Sequence, residues 1–254
     1  MGNSVFCSIS TEDNNDQIFD LIKGENGNNF DLEKSILPIP AQLANLVPQG
    51  YRDVLAMAHI DNTFKHEDKR AAFAQVLKLS RLQYDFLSAP NEEVVEDLVD
   101  KLLTIYIDSI YLCYDDNGNL RENHLESEGI KPSYADEGFV YPATFAEIEA
   151  QAAEVYKTCV EVGEIYVSGW RYSKFGCSWL PRFGESEEGY IKFETITSAP
   201  VEGFKLFAKA TKLNGSAEYF EENDASFWGV LEFKDGELVA HRENDQKDKA
   251  DFYG

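Results

Sequence analysis

Positive charge is scarce in this sequence: 23 Lys and Arg stand against 46 Asp and Glu, a formal net charge of −23 over 254 residues. A field of that sign repels a phosphate backbone, so binding of nucleic acid through bulk charge is not expected. Long apolar runs are missing as well. None approaches the roughly 18 residues of a bilayer-spanning helix, and no membrane association is expected. The stretch Met1 to Cys7 has no basic segment and no long apolar segment, so it does not read as a secretory leader. Cysteine is sparse and dispersed: Cys7, Cys113, Cys159 and Cys177 form no Cys-x-x-Cys pair. Small secreted scaffolds are far denser in cysteine, so reduced thiols and a cytoplasmic setting are expected. The four histidines, His59, His66, His124 and His241, show no metal-ligand spacing, and His59 and His66 read as a solvated helix face. There is no Gly-x-Ser-x-Gly elbow, no P-loop and no dinucleotide-binding glycine loop. No catalytic residue, metal or cofactor is therefore expected.

What is present is enough apolar material for a core: hydrophobic residues make up 43% of the chain and aromatics 13%. Residues 1–50 read as strand, helix, strand contributing to a sheet. Val5, Cys7 and Ile9 alternate, Ile18, Phe19, Leu21 and Ile22 are spaced for a helix face, and Phe30 to Leu32 is expected to be a second strand. Residues 51–160 read as a helical insertion. Phe73, Val76, Leu77, Tyr84 and Leu87 lie on one stripe, and a second apolar face runs from Val94 to Ile110 behind Asn91 as N-cap. Thr144-Phe145-Ala146-Glu147 is a capping box opening another helix. Residues 115–141 read as turns and a long loop; Asp115, Asn117 and Asn119 are spaced like part of a calcium loop that continues to Glu126. Leu120 sits at the sixth position of that loop, where the sharp bend needs glycine, so a plain Asn117-Gly118 turn is the expectation.

Residues 161–241 change period. Ile165 to Val167 and Gly169 to Tyr172 read as strand, Ile191, Phe193 and Thr195 alternate, and Val201 to Leu213 is an amphipathic helix. Two further strands, Ala217 to Phe220 and Phe227 to Phe233, precede the hairpin signal Asp235-Gly236 and a last strand through His241. Residues 242–254 form a charged tail. The order predicts an α+β protein with helices on one face of an antiparallel sheet and a helical insertion in the middle of the chain.

The run Trp170-Arg171-Tyr172-Ser173-Lys174-Phe175-Gly176-Cys177-Ser178-Trp179 resembles the Trp-Gly-Thr-Lys-Trp-Asp block of an uncharacterised family borne by bacteriophages and conjugative plasmids. Phe193 to Pro200 is similar to that family's Phe-x-Thr-x-x-Ser-x-Pro turn. Tyr219-Phe220-Glu221 with Phe227-Trp228-Gly229 is similar to its Tyr-x-Glu and Phe-x-Gly element. Asn3, Cys7 and Leu37-Pro38-Ile39-Pro40 echo its N-terminal features. The resemblance implies a ferredoxin-like domain and a mobile-element origin, and supplies no known reaction. Phe175 stands where the family has Trp, Cys177-Ser178 replaces Thr-Lys, Leu180 replaces Asp and Thr197 replaces another Trp, so any activity carried by those residues would be missing here.

Two surfaces are candidates for function. The first is charge. Tyr51 to Val160 holds 21 acidic and 10 basic residues, and the flanking regions are negative too, so the charge is no detachable tail. Dispersed carboxylates on a folded protein can occupy a cationic groove of a partner. Glu92, Glu93, Glu96, Asp97 and Asp100 are the expected partner-binding residues. The reading is a non-catalytic acidic binding protein that occupies a host protein with a cationic surface, such as a defence nuclease or a regulator. The second is aromatic. Trp170, Arg171, Tyr172, Trp179 and Trp228 would line a ligand-binding or enzymatic cleft, or stack on single-stranded nucleic acid. Against that second surface stands the ordinary place of aromatic rings, in the core between sheet and helices. Oligomeric state is not encoded in any pattern of the sequence.

Overall fold

The computed structural model describes residues 4–12, 17–21, 32–46, 52–79, 114–121, 143–177, 182–187, 189–196, 198–221 and 227–243. These divide into two compact units: residues 1–39 with 168–254, and residues 40–167.

The first unit is built on a six-stranded sheet. Strand β1 (Ser4–Thr11) pairs antiparallel with both β3 (Tyr190–Ile196) and β4 (Gly215–Glu221). β2 (Arg182–Glu187) pairs with β3 on one side, and β5 (Trp228–Lys234) and β6 (Glu237–Glu243) follow β4 on the other, giving the order β2-β3-β1-β4-β5-β6. The first four strands have the order and sense of a ferredoxin-like split βαβ arrangement, extended at the β4 edge by the hairpin β5–β6. The long crossover from β1 to β2 contains the whole second unit.

Register explains the amino-acid choice. Cys7 lies opposite Phe193 on one side and Tyr219 on the other, so Val5, Cys7, Ile9, Ile191, Phe193, Thr195, Ala217 and Tyr219 share one face and are buried. Helix α8 (Val201–Thr211) packs on that face, with the Phe204 ring 6.0 Å from that of Phe193. The short helix α1 (Gln17–Asp20) stacks Phe19 on Phe207 at 6.4 Å. On the opposite face Phe6 stacks on Phe220 at 5.3 Å, and the Ser10 and Ser216 hydroxyls are 2.9 Å apart. The β5–β6 turn has Asp235 and Gly236 at φ of 51° and 82°, the left-handed pair that a two-residue hairpin of matching twist requires.

Three expected strands fail where the structure describes them: Leu32 (Phe30 and Asp31 lie outside the described residues) and Gly169 to Tyr172 are helical, and Ile165 and Tyr166 form a bend that leads into a helix at Val167. Leu32 begins a helical turn, α2 (Leu32–Ser35), and packs its buried side chain toward Gly203. Gly169 to Tyr172 lies inside helix α7 (Val167–Phe175). Aromatic content suggests a strand there, yet the burial follows a helix: Tyr166 and Trp170 are buried four residues apart, whereas Tyr172, Ser173 and Lys174 are exposed in succession. A half-buried strand would alternate instead. The strand β2 carried no readable alternation.

The second unit contains α3 (Ala41–Ala44), α4 (Arg52–Thr63), α5 (His66–Leu79) and α6 (Phe145–Val162). α4 is buried on most of its circumference. Ala56, Met57 and Ile60 join Phe73, Val76, Val155 and Cys159 in one cluster, while Val54 and Leu55 join Tyr114, Ile148 and Ala152 in another. The capping box of α6 forms as the sequence dictates: Glu147 N–H donates to Thr144 Oγ1 at 3.4 Å, and Thr144 N–H donates to Glu147 Oε2 at 3.1 Å. Such a cap contributes about 1 kcal/mol.

A buried polar clasp lies at the base of this unit. Arg52, 1% exposed, donates from its guanidinium to the carbonyls of Ile165, at 3.0 Å, and Leu46. The Tyr166 hydroxyl donates to Asp53 Oδ1 at 3.1 Å, and the Arg52 guanidinium lies 5.9 Å from the centre of the Tyr166 ring. The clasp joins the segment entering α4 to the segment leaving α6. A buried charge is tolerated only with such bonds, because desolvating it otherwise costs several kcal/mol.

Candidate functional site

The residues of the aromatic candidate are placed by α7 and β5. Trp170 is buried and meets Phe175 edge-on, with ring centres 5.5 Å apart. Trp228 is buried on β5. Arg171 forms a two-pronged ion pair with Glu33, its second prong at 2.9 Å, which fastens α7 to α2. Tyr172 is 58% exposed. Trp179 lies outside the described residues. Both described tryptophans therefore direct most of their surface into protein.

The thiols of this unit are buried. Cys7 lies 3.8 Å from the Val5 carbonyl and 3.9 Å from Thr195 Oγ1, and burial pushes its thiol far above the ordinary range. Burial pushes Cys177 up to about 12; Arg171 opposes that rise and Glu33 adds to it. In the second unit burial pushes Cys159 up to about 11, helped by the charge of Glu164. All three are protonated near neutrality, so none is a ready nucleophile.

The Asp115 loop is a tight turn. Asp115 Oδ1 accepts the backbone N–H groups of Asn117 and Asn119, each at 2.9 Å, and these bonds, that to Asn119 first, hold its carboxyl below the usual range. Glu126 is outside the described residues. Among the described residues no three His, Cys, Asp or Glu side chains are grouped to hold a metal ion.

A groove of about 340 Å³ lies between α4 and α6. On α4 its wall is Leu55, Ala58, His59, Asn62 and Thr63. On α6 the wall includes Phe145, Ile148, Glu149, Ala152 and Ala153. The α4 set falls at i, i+3, i+4, i+7 and i+8, one face of its helix, as do these five residues of α6, with Ala150 also at the rim. Leu55, Ala58, Ile148 and Ala152 are buried and form an apolar floor. Ala58, Ala152 and Ala153 keep the groove open, since larger side chains there would fill it. His59 is half-buried, with its ring 5.4 Å from that of Tyr156, and burial lowers its pKa. The solvated-face expectation for this histidine thus gives way to a wall position. The groove escaped the sequence reading because its alanines look like ordinary helix filler; the matched spacing in the two segments was the available signal.

α6 is acidic beyond the groove as well: Glu147, Glu154 and Glu161, at i, i+7 and i+14, share a face turned away from Glu149 and the groove. On α6, Glu147, Glu149, Glu154 and Glu161 are exposed. Lys157, the single basic residue of that helix, lies 3.8 Å from Glu161. The unit containing the groove holds 23 acidic and 10 basic residues, and the sheet unit 23 and 13. The expected partner-binding residues Glu92, Glu93, Glu96, Asp97 and Asp100 lie outside the described residues.

No known family and no curated protein matches the chain. Among solved structures, a protein api92 from Yersinia pseudotuberculosis, assigned to the DUF1281 family, aligns with 96% of this chain and 99% of its own at a TM-score of 0.37 and 10% identity. A superposition that loose carries no argument, and the ferredoxin-like assignment stands on strand order and sense alone. No helix among the described residues is long and apolar enough to cross a membrane.

Proposed function

We propose that this chain is a non-catalytic, acidic binding protein whose partner is a protein with a cationic surface. The observation that carries the reading is the placement of charge: both compact units are strongly negative, and Glu147, Glu154 and Glu161 share one exposed face of α6, with Lys157 beside Glu161. Clustered like charge opposes folding and is relieved by a partner of opposite sign. Complementary fields of this kind also accelerate encounter and suppress wrong partners. The partner proposed is a cytoplasmic nucleic-acid-binding protein whose groove for phosphates accepts carboxylates in their place. With the mobile-element origin implied by the sequence resemblance, that partner would be a host nuclease or regulator. An aromatic ligand cleft has less support, because Trp170 and Trp228 are buried.

The test is affinity capture at low salt, followed by purification of the captured protein and measurement of Kd across a salt series. Kd is expected to weaken steeply with salt. It should weaken further when Glu147, Glu149, Glu154 and Glu161 are changed to Gln, or when Glu92, Glu93 and Glu96 are changed to Gln and Asp97 and Asp100 to Asn. A complex indifferent to salt and to both sets of substitutions would refute the reading, as would failure to capture anything at any salt.

A further inference from the structure

We infer that Asn117 is a site of spontaneous covalent modification, at which the backbone nitrogen of Gly118 closes on the asparagine side chain and water then opens the ring to isoaspartate. The substrate is the chain's own turn, and water is the co-reactant. The inference does not depend on the function proposed above.

A glycine after asparagine favours this reaction, because no side chain shields the attacking nitrogen. The Gly118 amide gives up its proton to hydroxide and attacks Asn117 Cγ. The new N–Cγ bond replaces the Cγ–Nδ2 bond, and ammonia leaves with a proton taken from water. Water then adds to one of the two carbonyls of the cyclic imide. Opening at the main-chain carbonyl routes the backbone through Cβ and Cγ, which is isoaspartate; opening at Cγ gives aspartate. The step is redox-neutral, and either product carries one added negative charge.

Structure decides which pair reacts. The sequence contains Asn26-Gly27, Asn117-Gly118 and Asn214-Gly215, and the first pair lies outside the described residues. The other two stand in opposite environments. Asn117 is exposed, and its carboxamide makes no hydrogen bond to the described residues. The Gly118 N–H is tied only to the Asp115 carbonyl, at 2.9 Å, within a short turn. Surface turns of this kind open at little cost and release the nitrogen. Asn214 is fixed instead. Its Oδ1 accepts the Asp235 N–H at 2.8 Å, and its carbonyl accepts the Glu12 N–H at 2.9 Å. Gly215 is paired with Thr11 of β1 and Phe233 of β5, and a Cβ there would fall 2.0 Å from the Ser10 carbonyl oxygen. Ring closure at Asn214 waits on separation of central strands, a far rarer opening.

Conversion at Asn117 reaches the start of α6. Gly118 O accepts the N–H of Phe145, the first residue of that helix, at 2.8 Å. The turn that aims this carbonyl is held by Asp115 Oδ1, which accepts from Asn117 and Asn119. Isoaspartate lengthens the backbone by a methylene inside the turn, so these bonds no longer close together and the Phe145 N–H loses its acceptor.

The experiment holds the full chain in warm, mildly alkaline buffer, either folded or in urea, and follows each asparagine by peptide mapping with mass spectrometry. Electron-based fragmentation distinguishes isoaspartate from aspartate. In the folded chain Asn117 is expected to convert about tenfold faster than Asn214, with isoaspartate the main product, and the difference should vanish in urea. Asn117→Asp carries the added charge without the added methylene. Amide exchange at Phe145, read by NMR, should therefore quicken in the aged chain and stay unchanged in freshly prepared Asn117→Asp. An intact Asn117 in the folded chain, or conversion no faster than that of Asn214, would overturn the inference. Conversion with Phe145 exchange unmoved would overturn the coupling to α6 and leave the site standing.

Discussion

Tyr219 and Gly229 offer a strict test of how the sheet is packed. They are directly opposed on β4 and β5, and Tyr219 lays its ring across the glycine to donate from its hydroxyl to Glu243 Oε2 on β6 at 3.1 Å. One side chain thus ties three strands together. A Cβ on Gly229 would fall 2.4 Å from Tyr219 Cζ and Oη and 2.5 Å from Cε1. The ring is 4% exposed and cannot swing away without disturbing its neighbours, including the Phe227 ring 5.5 Å distant. Gly229→Ala should therefore incur an overpacking cost of about 1–3 kcal/mol. Displacing the ring also strains a hydrogen bond to a charged group, worth about 1.5–3 kcal/mol when fully lost. Against this, replacing glycine in a strand recovers roughly 0.5–1 kcal/mol of backbone entropy. The net expectation is a loss of about 2–4 kcal/mol, read by urea denaturation with intrinsic fluorescence. The decisive measurement is the cycle: in a Tyr219→Ala background the same Gly229→Ala change should be neutral or stabilising, because the obstructing ring is gone. An equal penalty in both backgrounds would show that the ring is not what excludes a side chain at position 229, and the packing argument would fail.

Three further outcomes follow from the geometry. Arg52→Met keeps most of the side-chain volume but removes the bonds to Leu46 and Ile165, so the helical unit should lose about 2–4 kcal/mol; hydrogen exchange in α4 and α6 should rise well before that of the sheet. For His59 the folded pKa lies below the unfolded value, so as pH falls through about 6.5 the unfolded chain binds the proton first and stability declines. His59→Gln should flatten that part of the stability–pH curve, and an unchanged curve would contradict the wall position. Cys7, Cys159 and Cys177 should resist iodoacetamide in the folded chain at mildly alkaline pH and react on denaturation, as followed by site-resolved mass spectrometry.

Much of the fold is legible from local pattern. Val5, Cys7 and Ile9 alternate because β1 is covered on one face, and Ile191, Phe193 and Thr195 do so for the same reason on β3. Phe204, Phe207 and Ala208 are spaced for the buried side of α8, and Thr144 with Glu147 closes a cap within four residues of chain. Failure came where burial departs from local rule. Trp170, Arg171 and Tyr172 look like strand residues, but the Arg171–Glu33 pair and the Trp170–Phe175 contact belong to a helix. Val239 is 60% exposed on an outer strand that is exposed along nearly its whole length, and the β5–β6 register slips beside it: Ala240 faces Glu232, whereas Leu238 faces Phe233. Such a bulge bends the outer strand and hinders edge-to-edge pairing with another chain. For the candidate site less was legible: the acidic character was visible at once, whereas the groove was hidden among alanines.

By itself the sequence determined the strong negative charge, the alternation of the central strands, the capped helix at Thr144 and the Asp235-Gly236 hairpin, since each depends on composition or on residues within a few positions of one another. Tertiary structure decided that β1 lies between β3 and β4, that Gly229 is a seat for the Tyr219 ring, that the Trp170 segment is a helix, and that two stripes far apart in the chain face each other as the walls of a groove. Those outcomes depend on which distant surfaces exclude water together, and no window of neighbouring residues contains that information.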